Sequence, residues 1–157
     1  VEGGQTRAAS SYEGIRSLST SENLKVLIHD AARPFVSSEL ITRCLSALDH
    51  FDAVSPTLPL DETIFELLDE RVQTIPDRST YRKVQTPQGF KLHTIKAAHE
   101  EFHKDQTFLP TDDCGIVLKY SPQTPIGVVN GDETNIKITH PTDMILARAI
   151  HYENTNS

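Results

Sequence analysis

The stretch Leu24-Lys25-Val26-Leu27-Ile28-His29 is apolar almost throughout and stops at Asp30-Ala31-Ala32-Arg33-Pro34. So short and apolar a run reads as a strand buried on both faces, as in a parallel sheet covered by helices. In open α/β sheets, ligands bind just beyond the carboxyl ends of the strands. Asp30 and Arg33 therefore stand where a metal ion and a phosphate would sit, and as a pair they suit Mg²⁺ and phosphate together. Three more polar clusters follow strand-like runs: Gln85-Thr86-Pro87-Gln88, Thr111-Asp112-Asp113 and Asn135-Ile136-Lys137. An acid, an arginine, small hydroxyls and a lone lysine make a phosphoryl-handling set. Each has a plainer reading: Asp30 as a turn residue, Thr111 as a helix cap, Lys137 as a solvated edge lysine.

The 157 residues allow one domain with a sizeable core. The net charge of −7 argues against nucleic-acid binding, which needs a basic footprint, but a few local cations suffice for one small anion. No apolar run is long enough to span a bilayer. Cys44 and Cys114 lie in helix-like segments with no Cys-x-x-Cys spacing, and read as buried small hydrophobes in a reducing cytoplasm.

Val1-Glu2-Gly3-Gly4 reads as a strand end and Gly turn, Arg7 to about Leu18 as a helix, and Ser19 to Asn23 as a loop. Ser37 or Ser38 can cap a helix with apolar Leu40, Ile41, Cys44, Leu45 and Leu48. Ala53 to Leu58 is a strand broken by Pro56 and Pro59. Residues 61–83, most distinctly Thr63 to Lys83, are charged and β-prone around Val72, Thr74 and Ile75, with Asp69-Glu70 as the turn, and predict a projecting hairpin arm. Leu92, Ile95, Ala98, His99 and Phe102 mark one helix face. Thr111 would cap a short helix with Asp112 and Asp113 in its first turn. Pro125 to Val129 and Asn135 to Thr139 read as strands, the second turning Asn135, Lys137 and Thr139 to one face. Pro141 suits the first position of a closing helix through about Ile150, before a frayed polar tail, Glu153 to Ser157. Strands alternating with helices predict a mainly parallel α/β sheet in a single domain over 1–152.

In order and spacing, these clusters resemble the 2-C-methyl-D-erythritol 4-phosphate cytidylyltransferase family. The matching stretches are Gly3-Gly4-x-x-Arg7-x-x-Ser10, His29-Asp-Ala-Ala-Arg-Pro34, Gln85-Thr-Pro-Gln88-x-Phe90, Thr111-Asp112-Asp113 and Asn135-Ile-Lys137-Ile-Thr139-x-Pro141-x-Asp143. The resemblance implies a Rossmann-like nucleotidyltransferase that makes CDP-methylerythritol and pyrophosphate from CTP, for non-mevalonate isoprenoid precursors. It implies CTP contacts at Gly3, Gly4, Ser10 and Asp30, with Mg²⁺ or another divalent cation at Asp30. It implies that Arg33, Thr86, Thr111 and Lys137 hold the sugar-alcohol phosphate, with Lys137 and Asp30 catalytic. Thr63 and Arg78 would reach into the partner's site across a homodimer built through the arm. A ribitol 5-phosphate cytidylyltransferase is the related alternative.

Two departures stand out. Glu62-Thr63 replaces the family's Asp-Thr. The family's opening strand, its Ala-Ala-Gly-x-Gly-x-Arg loop and the Pro-Lys that follows have no counterpart in these residues. The expectation is a domain without its first βα unit and inactive alone. A competing pattern, His99-Glu100-Glu101-Phe102-His103, matches the His-Glu-x-x-His helix of zinc proteases. No third ligand is placed for it, and two histidines on an amphipathic helix are the plainer reading.

Overall fold

The computed structural model describes residues 1–19, 24–105 and 107–156, so beyond Ser19 the loop expected to Asn23 lies outside the described residues. In chain order the strands are β1 (Lys25–Ile28), β2 (Ala53–Pro59), β3 (Glu66–Leu68), β4 (Arg71–Thr74), β5 (Arg82–Val84), β6 (Gln88–Lys91) and β7 (Ile126–Asn130). The helices are α1 (Arg7–Arg16), α2 (Ser38–Ala47), α3 (Leu92–Lys104), α4 (Asp113–Tyr120) and α5 (Asp143–Asn156). β6 lies between β1 and the first part of β2, β5 continues along the rest of β2, and β7 pairs with the other edge of β2. β1, β2 and β7 run one way; β5 and β6 run against them.

Period-two alternation along the strands divides the core between the sheet's faces. Ala53 and Phe90 face one way, with Val26 and Ile28, and meet Ala8 and Ile15 of α1, Leu92, Ile95 and Ala98 of α3, and Ile116 and Val117 of α4. Val54 faces the other way with Leu27 and Val129, and meets Leu40 and Cys44 of α2 and Leu48 at its C-cap. Ser37 starts α2 by accepting the Leu40 N–H, which sets those three residues four apart on one buried stripe. Cys44 and Cys114 are both buried free thiols.

Within the segment read as an arm there is a hairpin. β3 and β4 pair antiparallel, and Asp69 and Glu70 make the turn with φ of 47° and 61°. Two positive-φ residues match the twist of the flanking strands. The hairpin stands clear of the sheet with Phe65, Leu67, Leu68, Val72 and Ile75 all exposed.

Several expectations are corrected. β1 is half-buried rather than enclosed, because among the described residues it pairs only with β6. Residues 1–4 are not a strand end, and neither Gly3 nor Gly4 has positive φ. Gly4 is small for another reason: a Cβ there would lie 2.4 Å from that of Ala9. β2 runs on through Pro56, whose carbonyl accepts the Gln85 N–H. Asp112, not Thr111, caps α4, its carboxylate accepting the Gly115 N–H at 2.7 Å. Residues 135–139 do not form a strand; Ile138 N–H bonds to the Ala32 carbonyl instead of joining a ladder. α5 begins at Asp143, two residues beyond Pro141, and stays helical through Asn156, where fraying was expected. The Asp143 carboxylate accepts the N–H groups of Thr139 and His140, which draws the chain into a turn ahead of the helix.

Gly89 of β6 shows how closely α2 presses on the sheet: a Cβ there would meet Val54 at 2.8 Å and Leu27 and Leu48 at 3.1 Å. Gly89→Ala is expected to cost about 1–3 kcal/mol through overpacking, read as a lower urea midpoint with an unchanged slope.

Candidate active site

Beyond the end of β1 the chain turns through 29–34, and this turn is tied to the segment between β5 and β6. Asp30 N–H donates to Thr86 Oγ1 at 3.0 Å, and the same hydroxyl lies 2.9 Å from His29 Nδ1. His29 Nε2 lies 2.9 Å from the Arg33 carbonyl, which can only accept, so Nε2 carries the hydrogen. Arg33 Nη1 donates to the Asn135 carbonyl at 2.7 Å, and Nη2 donates to the Val84 carbonyl at 3.3 Å. Asn135 is fully buried and donates to the Thr86 carbonyl at 2.8 Å, while the Gln85 amide bridges residues 132 and 135. Backbone that belongs to no strand is thereby fixed by side-chain amides.

These bonds bring Asp30, Arg33, Thr86, Thr111 and Lys137 around one cleft of about 250 Å³, as their order in the sequence suggested. Lys137 is 44% exposed and its Nζ lies 2.8 Å from Asp30 Oδ2. The strand-face argument for it is corrected: Asn135 points into the core and serves the backbone, and Lys137 stands in the cleft without it. Arg7, Gln88 and Asp112 also line the cleft. Gln88 donates to Asp112 Oδ2 at 2.7 Å and accepts the N–H groups of Asp113 and Cys114, so it seats the start of α4.

Arg7 sets the electrostatics. Its Nε donates to Asp30 Oδ1 at 3.2 Å and its Nη1 to Asp113 Oδ2 at 2.7 Å. Burial pushes the Asp30 carboxyl up, but hydrogen bonds from Lys137 and Arg7 outweigh it and hold the group below its ordinary value. Asp113 is 0% exposed; burial raises it too, and His99 and Arg7 together bring it below the usual carboxylate range. For Arg33, burial prevails over the nearby Asp30 and lowers it from the usual arginine value. Arg7 sits in the quoted Gly3-Gly4 motif, but its partners 23 and 106 residues away could not be read from spacing.

A second groove of about 510 Å³ follows α1 and β1 to Asp30, lined by Ser10 and Arg7 among others. Ser10 Oγ accepts the Gly4 N–H, and its single hydrogen is shared between the carbonyls of Thr6 at 3.0 Å and Gly4 at 3.3 Å, so Gly3 and Gly4 lie folded against it. Thr63 and Arg78 are exposed on the arm and do not line the cleft of their own chain. Arg78 instead donates to the Asp61 carbonyl.

Among the described residues, no three His, Cys, Asp or Glu side chains converge to hold an ion. Both Asp30 oxygens face a cation, so a divalent ion there would have to share Asp30 with Arg7 and Lys137 and take most of its ligands from substrate phosphates and water, as Mg²⁺ commonly does. The His-Glu-x-x-His pattern divides: His99 is sealed in the core against Asp113, and His103 is exposed and stacks on Tyr12.

A cation-lined cleft at the edge of an α/β sheet has the charge and shape that suit phosphorylated ligands. The sequence model of the family IspD: 2-C-methyl-D-erythritol 4-phosphate cytidylyltransferase matches residues 1–153, and the chain belongs to this family. It is 40% identical to the 2-C-methyl-D-erythritol 4-phosphate cytidylyltransferase of Thermobifida fusca over 96% of this chain and 63% of that protein. It is also 40% identical to the bifunctional ribulose 5-phosphate reductase/CDP-ribitol pyrophosphorylase Bcs1 of Haemophilus influenzae, over 94% of this chain and 31% of that one. The 4-diphosphocytidyl-2C-methyl-D-erythritol synthase of Anaerococcus prevotii superposes with a TM-score of 0.89 at 33% identity, covering 97% of this chain and 69% of that one. The chain thus spans about 63% of the length of the first curated relative.

A buried carboxylate with a depressed pKa stabilises the fold above its unfolded pKa, about 3.9, and that contribution disappears as pH falls through the lower folded value. Asp113→Asn is therefore expected to cost about 3–5 kcal/mol at pH 7, with the difference from wild type shrinking below about pH 4. Urea unfolding at pH 7 and pH 3 checks both.

Proposed function

We propose that the protein, in its native length, transfers the cytidylyl group of CTP to 2-C-methyl-D-erythritol 4-phosphate in non-mevalonate isoprenoid precursor synthesis. The observation that carries this reading is the convergence of Asp30, Arg33, Thr86, Thr111 and Lys137 on one cleft in a chain of this family. A phosphate oxygen of the acceptor attacks the α-phosphorus, and the bond from that phosphorus to the bridging oxygen breaks to release pyrophosphate. Such a transfer asks the protein for position and charge neutralisation more than covalent help. Arg33, fixed by two carbonyls, binds the acceptor phosphate; Thr86 and Thr111 frame the polyol; Lys137 meets charge at the α-phosphate. CTP lies with its cytidine by Ser10 and the Gly3-Gly4 segment and its phosphates towards Asp30. A divalent cation shared by the triphosphate and Asp30 would supply further charge neutralisation.

The exposed apolar arm and the family resemblance support a homodimer in which Thr63 and Arg78 serve the partner's acceptor phosphate. Among the described residues no helix is long and apolar enough to cross a membrane, and we place the enzyme in the cytoplasm. Similarity to a CDP-ribitol pyrophosphorylase favours ribitol 5-phosphate as a second acceptor reading. Comparing kcat/KM for the two acceptors with CTP decides between them; turnover of neither overturns the proposal.

In the full-length enzyme, Lys137→Ala is expected to lower kcat/KM by about 10²–10³-fold. Because Lys137 is half exposed, its loss leaves no cavity, and the thermal midpoint should move by less than about 2 °C. A large fall in midpoint with normal turnover would mark Lys137 as structural.

If the arm acts in trans, inactive Arg78→Ala and Lys137→Ala enzymes complement on subunit exchange. Each heterodimer then holds one site with both defects and one with neither, restoring about a quarter of wild-type activity at equal mixing. Exchange seen by mass spectrometry without activity would place Arg78 outside the partner's site.

A further inference from the structure

His99 is 0% exposed, yet its ring carries one nitrogen, Nδ1, with no hydrogen-bond partner among the described residues. A leucine would fill such a site without stranding a polar atom, so packing alone does not explain the imidazole. Its other nitrogen, Nε2, donates to Asp113 Oδ1 at 3.0 Å. Asp113 Oδ2 accepts from Arg7 at 2.7 Å and, more weakly, from Ser11 at 3.5 Å. The Arg7 guanidinium forks: Nη1 serves Asp113, and Nε serves Asp30 Oδ1 at 3.2 Å. Asp30 Oδ2 in turn faces Lys137 at 2.8 Å. The ionised groups therefore alternate in sign from the core to the cleft: Asp113, Arg7, Asp30, Lys137.

We propose that His99, Asp113 and Arg7 are positioning residues that set the orientation of the Asp30 carboxylate, and through it Lys137. His99 fixes one oxygen of Asp113 and leaves the other aimed at Arg7. A guanidinium held on one side by a carboxylate that cannot move has one remaining direction for Nε, and Asp30 lies along it. Arg7 sits on the first turn of α1 and touches both the cleft and the groove beside α1, so its placement registers α1 against the end of β1. A histidine from the His-Glu-x-x-His pattern thus acts on the site from the core, through two ion pairs and without touching ligand.

The kinetic arm of the test rests on the proposed cytidylyl transfer; the crystallographic arm does not. Crystal structures of the ligand-free, full-length His99→Phe and His99→Gln variants are compared with wild type. Phenylalanine fills the volume but donates nothing, and the glutamine amide can stand in for Nε2. In His99→Phe, the Arg7 Nε to Asp30 Oδ1 separation should open beyond about 3.5 Å, hydrogen-bond reach, and in His99→Gln it should stay closed. kcat/KM for CTP should fall about 10-fold in His99→Phe and stay within about 2-fold of wild type in His99→Gln. An unchanged Arg7–Asp30 pair in His99→Phe, or an equal loss of kcat/KM in both variants, overturns the proposal. Should His99→Phe not fold, Arg7→Lys decides: one ammonium cannot fork between Asp113 and Asp30, so Asp30 should turn and kcat/KM fall, and wild-type geometry with wild-type kcat/KM overturns the relay. If the wild-type enzyme transfers no cytidylyl group, the proposed function falls while the crystal structures still judge the relay.

Discussion

Asp113 is a carboxylate sealed from water, and much of the cleft is organised by the need to neutralise it. An unpaired charge in that position would cost several kcal/mol. α1 supplies Arg7 and Ser11, α3 supplies His99, and Gln88 of β6 holds the Asp113 backbone N–H. Two helices thus converge on one side chain of a third, a strand holds its backbone, and the apolar cluster of Ile15, Ile95 and Ile116 packs on the same side of the sheet. Hydrophobic burial is indifferent to small rotations of a helix. The ion pairs are directional and select one orientation of α1 against β1.

Buried amides do the corresponding work where regular structure gives out. Gln85 and Asn135 satisfy backbone groups at 86, 132 and 135, and Gln88 satisfies two N–H groups at the start of α4. Each is nearly or wholly buried, so an unmade bond would be expensive and the bonded geometry is strongly preferred. Asp132 extends the same logic to the other face of the sheet, where it accepts from Ser37 and pairs with Arg43 of α2. The cleft is lined by loop, but that loop is held by side chains rooted in the sheet and in α2.

Legibility in the sequence followed the range of the interaction responsible. Local signals read well: the Ser37 cap, the stripe of Leu40, Cys44 and Leu48, and the Asp69-Glu70 turn depend on neighbours a few residues away. Asp30, Arg33, Thr86, Thr111 and Lys137 could be grouped because each follows a run that reads as a strand; the residues do meet, although α3 and a loop, not a strand, precede Thr111. Asn135 to Thr139 was misread as strand because alternating Ile136 and Ile138 mimic period two, while the bonds that fix the segment come from Gln85 and Ala32 far along the chain. Thr111 lost the cap to Asp112 because both residue types suit that position and only the path of the chain decides between them. The ties from Arg7 to Asp30 and Asp113 span 23 and 106 residues, a separation at which no periodicity carries information.

The cleft's cations are not equivalent, and the difference bears on the proposed chemistry. A net charge of −7 opposes a polyanionic ligand at long range, so attraction must come from contact. Arg7 and Lys137 are each paired with a carboxylate, whereas Arg33 donates only to carbonyls. An anion at Arg33 displaces no ion pair, which suits ground-state binding of the acceptor phosphate. An anion at Lys137 must compete with Asp30 for the ammonium. Only a strong local build-up of negative charge wins that competition, and in phosphoryl transfer such charge gathers on the oxygens around the phosphorus as the leaving bond stretches. In the proposed reaction, the Asp30–Lys137 pair would thereby lower the reward for binding substrate relative to the transition state. That is the direction in which binding energy accelerates a reaction.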